Sequence, residues 1–319
     1  MLKFLYFTDS HFSEQKPKYR IDKDFVETQI NKLNQIMEIT IEKAVNAVII
    51  GGDLFNNTQP TLNILGKIGA ALNINGHYWQ GDTLSIMGNH DLIGYNHDSV
   101  YDSGLGVLDR HGILDILSLE SASGYAIPKS DCRIFSINYR KKQDLERYKL
   151  KNKPETAIIV SHDMITPSTM KYESLLIKDV AQVTNADIIL CSHFHGSFCE
   201  KVKDTWFVNP GALIRRTITE IDNTPQVALI SIDKKIDIKF IKLKVEDGDK
   251  IFNIEMANKA KDKKIDLEGF VNLLKETKIK DTDIDKHIDK LGIKLRISKD
   301  IIDLAKERVQ RARISLGSD

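Results

Sequence analysis

Only three cysteines, Cys132, Cys191 and Cys199, occur in 319 residues. The number is odd and none stand at Cys-x-x-Cys spacing, which argues against a disulfide scaffold and a zinc knuckle; they read as reduced thiols. Long hydrophobic runs are also missing. Nothing approaches the roughly 18 consecutive apolar residues of a membrane-spanning helix, so no membrane role is expected. The apolar start Met1-Leu2-Lys3-Phe4-Leu5-Tyr6-Phe7 meets Asp9 at once and reads as a first strand, not a signal peptide, making a cytoplasmic location the default expectation. Charge of one sign is lacking as well: 46 basic residues face 45 acidic ones. Overall charge therefore steers nothing, and any contact with nucleic acid needs a local patch or metal ions. No internal repeat or low-complexity tract is present.

What is there fits a globular protein long enough to bury a substantial core, with 41% hydrophobic and 29% charged residues. Apolar residues at Phe25, Ile30, Leu33, Ile36, Met37, Ile41 and Val45 recur near helical period and predict an amphipathic helix over 24–45. Ala47-Val48-Ile49-Ile50 reads as a strand buried on both faces. A second helix is expected over 61–72, and further strands over 84–87, 114–119, 132–137, 157–160, 188–190 and 206–208. Such alternation argues for an α/β sandwich. Residues 226–232 and 236–243 form a plausible hairpin. The charged linker Lys259-Ala260-Lys261-Asp262-Lys263-Lys264 introduces a helical region, with helices expected over 267–277, 283–291 and from Ser298 to Arg313. The apolar stripe of the last is Ile301, Leu304, Ala305, Val309 and Ala312.

The ends of the expected strands share a chemistry. They run into Thr8-Asp9-Ser10-His11, Gly51-Gly52-Asp53, Gly88-Asn89-His90-Asp91, Ser161-His162-Asp163 and Ser192-His193-Phe194-His195. Any one of these reads equally well as a turn, a helix cap or a satisfied core histidine. As an ordered set at the C-terminal ends of strands, where open α/β sheets keep their sites, they point to a metal centre. Imidazole, carboxylate and amide together suit Mn²⁺, Fe²⁺ or Zn²⁺ better than an all-oxygen Mg²⁺ shell.

This ordered set resembles the motifs of the calcineurin-like metallophosphoesterases, over roughly residues 1–245. The resemblance implies a four-layer α/β/β/α sandwich with a small C-terminal β and helical appendage, and a division into a catalytic domain 1–245 and a C-terminal region 246–319. It implies two divalent ions, Mn²⁺ first with Fe²⁺ or Zn²⁺ as alternatives. One would take Asp9, His11, Asp53 and His195, the other Asp53, Asn89, His162 and His193, with Asp53 as the bridge. His90 would serve the leaving oxygen, and Asp91 would hold its tautomer. One departure is Ser192, where the family usually has Gly.

Within the family, Gly51 to Pro60 and the run Asn209-Pro210-Gly211-Ala212-Leu213 followed by Arg215, Arg216 and Glu220 resemble the nuclease subunit of SbcCD and Mre-eleven type DNA repair complexes. That branch implies a DNA nuclease, with DNA, an SbcC-type coiled-coil ATPase and a second copy of the chain as partners. Asn56 departs from it, because those nucleases usually carry His there; it can still hydrogen-bond a phosphate. Arg215 and Arg216 are the candidates for contact with the DNA backbone. The alternatives are a phosphodiesterase or phosphatase for nucleotides or other small phosphoesters, and a non-catalytic scaffold.

Overall fold

In a computed structural model, the described residues are 1–73, 79–117, 123–259, 284–294 and 297–316. The chain divides into two units, Met1–Phe252 and Asn253–Asp319.

The first unit contains two sheets. One is built from β1 (Leu2–Phe7), β2 (Ala47–Ile50), β3 (Asp82–Ser85), β4 (Asp115–Ile116), β12 (Gln226–Ile232) and β13 (Ile236–Lys242). Its order is β13-β12-β1-β2-β3-β4, with β1 to β4 parallel and the hairpin β12–β13 extending the edge antiparallel to β1. The other contains β5 (Tyr125–Ala126), β6 (Cys132–Ile137), β7 (Thr156–Thr166), β9 (Ile188–Ser192), β10 (Phe198–Val202) and β11 (Thr205–Asn209), in the order β10-β11-β9-β7-β6-β5. The short β8 (Leu175–Leu176) pairs with the far end of β7.

Period-two alternation sorts the side chains into layers. From β1 and β2, Leu5, Phe7, Val48 and Ile50 turn toward α1 (Phe25–Lys43), α2 (Leu62–Leu72) and α3 (Gly104–Arg110), meeting Leu33, Ile36, Ile68 and Leu105. Their neighbours Phe4, Tyr6, Ala47 and Ile49 turn the other way and meet Ile134, Ile158, Val160, Ile188 and Leu190 between the sheets. The outer face of the second sheet, with Phe135, Ile159, Ile189 and Phe207, packs on Val180 of α4 (Ile177–Val183) and on Tyr148. The result is α/β/β/α. Each fully buried aliphatic side chain contributes about 1.5–3 kcal/mol, so three such layers fix the sheets and hence the loops at their ends.

Local signals explain the boundaries. Asp24 caps α1 by accepting from the Glu27 amide at 2.9 Å, and Thr61 caps α2. Ile86 and Met87 lie past the last paired residue of β3. β7 is longer than the apolar run 157–160, and its register with β9 shifts between Ser161 and Met164, at His162. Such irregularities re-aim side chains. The boundary between units falls at Phe252, not near 245, because 246–252 folds back. The Ile21 amide donates to Ile251, and the Arg20 guanidinium covers the Phe252 ring at 5.2 Å.

In the second unit the helices Ile284–Lys294 and Lys299–Leu316 pack through Ile288 and Ala305, with Ile302 and Val309 beside them, and Lys306 pairs with Asp289 at 2.6 Å. Leu304, expected in the apolar stripe, is exposed. The helix expected over 267–277, most of the linker and the end of the strand expected over 114–119 lie outside the described residues. Among the described residues no helix is long and apolar enough to cross a membrane.

Candidate metal centre

Five strands of the first unit deliver residues to one pole. After β1 come Asp9 and His11; after β2, Asp53; past β3, Asn89, His90 and Asp91; from the irregular stretch of β7, His162; after β9, His193 and His195. Asp9, His11, Asp53 and His193 all have φ between 47° and 65°. Non-glycine residues adopt this left-handed region only at a cost of about 1–3 kcal/mol each, and such residues cluster at functional sites. At Gly52, with φ 90°, a Cβ would sit 2.6 Å from His162 Nδ1 and 2.8 Å from the Gly88 amide, so the approach of these loops requires glycine there.

The donor atoms converge. Ligand atoms of Asp9, His11 and His195 lie within 4.8 Å of one another, as do those of Asp53, His162 and His193 and those of His11, Asp53 and His90. Asp53 Oδ1 accepts from the His90 amide at 2.8 Å, while Oδ2 stands 3.7 Å from His11 Nε2 and 3.4 Å from His162 Nε2, between the groups. Asp9 Oδ2 accepts from the Thr8 hydroxyl and the His193 amide, leaving Oδ1 directed to His162 Nε2 at 4.0 Å.

Acceptors behind the site fix three imidazole tautomers, because a carbonyl or carboxylate can only receive a proton. His162 Nδ1 donates to the Gly51 carbonyl at 2.6 Å, His195 Nδ1 to Glu220 at 2.7 Å, and His90 Nδ1 to the Asn56 carbonyl at 2.7 Å. The Nε2 lone pairs of His162 and His195 therefore face inward. His195 Nε2 stands 3.3 Å from His11 Nε2. Among the described residues, Asp9 Oδ1, Asn89 Oδ1 and His162 Nε2 are buried without a hydrogen-bond partner. Unpaired buried polar atoms are costly, and their presence beside these donor groups fits divalent cations.

Electrostatics agree. Burial holds His11 and His193 down to about 3, hence neutral and able to ligate. Burial disfavours charge on His162 too, but Asp53 and Asp9 outweigh it and raise the group to about 10, a proton standing where positive charge is wanted. Burial opposes ionisation of Glu220, yet its bond from His195 and the Arg216 and Thr217 amides pull it down to about 2. Burial and the nearby Asp53 push Asp91 up to about 7.

Four placements differ from the sequence expectations. Asp91 does not touch the His90 ring; its Oδ2 accepts from the Gly88 and Asp53 amides at 2.8 Å, tying two loops together. The group orienting His90 is the main chain of Asn56, whose side chain donates to Asn57 instead of facing a phosphate. Arg215 is withdrawn from any DNA backbone: it is buried, its guanidinium donating to the Ile221 and Glu246 carbonyls, because 246–252 folds over it. Arg216 is half-buried and donates to the His11 carbonyl at 3.0 Å, bracing a loop of the site. Ser192 is accommodated by donating to the Ser161 carbonyl at 2.6 Å.

Sequence reading gave Glu220 no role and missed Tyr139. The Tyr139 ring lies 5.6 Å from that of His193 and 6.2 Å from that of His162, with Tyr95 5.4 Å away; its carbonyl accepts from His97. Tyr139 follows the end of β6 by two residues, so the strand-end rule applied to 132–137 would have found it. Glu220, 25 residues from His195, carries no such signal.

Two sheets between helices with a His, Asp and Asn pole at the strand ends define a metallophosphoesterase. Residues 2–197 match the calcineurin-like phosphoesterases, and the chain belongs to that family. It is a metal-dependent phosphoester hydrolase of the dinuclear class. A dimetal phosphatase from Danio rerio is 12% identical over 77% of this chain and 97% of its own, with a TM-score of 0.51. The calcineurin-like phosphoesterase YfkN from Bacillus subtilis is 15% identical over 77% and 86%, at 0.46. An archaeal phosphodiesterase is 14% identical over 76% and 100%, at 0.41. At such identities the likeness is one of fold. A search of curated protein sequences finds no match.

Proposed function

We propose that this phosphoesterase is a two-metal phosphodiesterase that cleaves DNA, Mn²⁺ being its working ion, in the manner of an SbcCD-type nuclease subunit. The observation that carries the two-metal reading is the convergence of Asp9 Oδ1 and Asp53 Oδ2 on His162 Nε2, at 4.0 and 3.4 Å, beside the Asp9–His11–His195 and Asp53–His162–His193 groups. Two divalent cations held there supply Lewis-acid activation of a phosphoryl group and of the attacking water. Asp53, with Asp9, His11, Asn89, His162, His193 and His195, would hold the ions. Glu220 and the Gly51 carbonyl orient His195 and His162, and Asp91 holds the loops carrying Asp53 and Asn89 together. His90, its Nδ1 proton committed to Asn56, exchanges a proton through Nε2 and in protonated form donates to the leaving oxygen.

Two things favour a nucleic acid. The Gly51 to Pro60 segment resembles the nuclease branch, and Tyr139 with Tyr95 sets an aromatic surface beside the metal pole on which a base can stack. By the same resemblance, a coiled-coil ATPase docking on the C-terminal helices and a second copy of the chain are proposed partners, testable by co-purification and by sedimentation.

The test is hydrolysis by the Mn²⁺-loaded full chain of single- and double-stranded DNA beside cyclic and other small phosphodiesters. DNA cleavage is expected, and Tyr139→Leu should raise KM for DNA on the order of tenfold with kcat little changed. Hydrolysis of the small esters with every DNA left intact would remove the nuclease reading and leave the phosphoesterase class standing. An unchanged KM in Tyr139→Leu would remove the stacking surface.

A further inference from the structure

Beneath α1, away from the metal pole, lies a cavity of about 370 Å³ whose walls include Lys32, Arg215, Lys244, Thr28, Gln35 and Asp22. None of the metal-ligand residues lines it. Lys32 is 3% exposed and Arg215 5%. A third cation, Arg20, sits behind them, 3% exposed and donating to the Arg215 carbonyl at 2.7 Å.

The charges do not balance. Asp22 is spent on Arg20, which grips both of its carboxylate oxygens. Glu246, which also lines the cavity, and Asp247 are exposed and pair with Lys250 at 3.8 and 3.3 Å. Among the described residues Lys32 donates only to the Thr28 carbonyl, at 3.2 Å, and Arg215 only to the carbonyls of Ile221 and Glu246, its Nε being buried with no partner. Among the described residues neither cation has a carboxylate within ion-pair distance. Buried charges are ordinarily paired, because taking an ion from water costs several kcal/mol that only a counter-charge repays. Burial, with Arg20 and Arg215 nearby and only Asp22 opposing them, holds Lys32 down to about 7.

We infer that this cavity is a second, metal-independent site for a small phosphate-bearing anion. Lys32 Nζ has donors to spare, Arg215 adds its unpartnered Nε and Lys244 an exposed ammonium at the rim, while the Thr28 hydroxyl and the Gln35 amide are spent on main-chain carbonyls. A doubly charged oxyanion supplies what Asp22 cannot, and a phosphate of this kind prefers such charged, convergent donors. The volume exceeds that of inorganic phosphate and admits a nucleoside monophosphate. The inference does not depend on the substrate proposed above, because it concerns different residues.

Calorimetric titration of the full chain, stripped of metal by chelation so that the metal pole cannot hold phosphate through an ion, tests it. Inorganic phosphate and adenosine monophosphate are titrated separately. Saturable binding of one ligand per chain is expected in wild type and, at the same affinity, in His195→Ala. Lys32→Met should weaken it by at least about tenfold. Lys244→Ala, at an exposed position that cannot disturb the core, should weaken it a few-fold, which keeps the test decisive if Lys32→Met folds poorly. Tighter binding of the nucleotide would mark it as the ligand, and equal affinity would mark bare phosphate. The inference fails if neither anion binds saturably, if Lys244→Ala and Lys32→Met bind like wild type, or if His195→Ala alone abolishes binding.

Discussion

At the strand ends Asp9, Asp53 and Asp91 gather with the imidazoles of His11, His90, His162, His193 and His195, whereas beneath α1, among the described residues, Lys32 and Arg215 are buried with no carboxylate within ion-pair distance. One region gathers carboxylates and imidazoles, the other cations. Both are dry enough for the imbalance to matter, since a full charge left unpaired in the interior costs several kcal/mol. The metal pole carries further strain in its left-handed Asp9, His11, Asp53 and His193, while no residue lining the basic cavity has a positive φ among those described. A site that must hold two ions in set geometry needs a distorted backbone; one that needs only a counter-charge can use ordinary helix and loop.

The comparison breaks most visibly at Asp53. Asp53→Ala removes the one carboxylate between both donor groups, and metal analysis should find the protein depleted while activity falls on the order of a thousandfold or more. Bound metal at the wild-type ratio would contradict its bridging place. His90→Ala separates charge from chemistry: metal content should hold and kcat fall by roughly a hundred- to ten-thousandfold. Retained turnover would refute the proton-donor role. A smaller loss is expected for Glu220→Ala, about 10- to 100-fold in metal affinity by competitive chelation, with Glu220→Gln recovering part of it by still accepting from His195 Nδ1; equal affinities in all three would mean that Glu220 only braces Arg216 and Thr217.

The gentlest test reads the basic cavity through pH. The folded-state value of Lys32, about 7, lies below the roughly 10.4 of an unfolded lysine. Between those values the unfolded chain binds a proton that the folded chain lacks, so stability rises with pH across this window, by at most about 1.4 kcal/mol per unit. Below about pH 7 the penalty is constant. Urea unfolding of the metal-free chain should show this slope in wild type and lose it in Lys32→Met, and phosphate should flatten it by holding the ammonium charged. The same slope in both proteins would show that Lys32 contributes none of it.

Much of the metal pole was legible because each ligand follows an apolar run. Ala47 to Ile50 and Cys132 to Ile137 became strands at the expected residues, and a strand buried on both faces has no choice but to release its polar residues at its end. Ionic and hydrogen-bonded supports were not legible. Asp91 looked like the partner of its neighbour His90, but adjacent side chains in a tight turn point apart, and the main chain of Asn56 took that place. Arg215 and Arg216 looked alike as a basic pair, yet one is sealed under 246–252 and the other braces His11. Leu304 satisfied a helical period but faces outward.

By itself the sequence determined the layers and the order of the ligands, since both follow from local hydrophobic period and from which residues end each run. Only the tertiary structure decided which long-range partner each polar group meets. Glu220 reaches His195, Gly51 reaches His162, Lys32 and Arg215 line one cavity, and Arg20 reaches the Arg215 carbonyl across 195 positions. Such encounters depend on how two sheets and the closing loop 246–252 pack, and no periodicity encodes a contact between groups far apart in the chain.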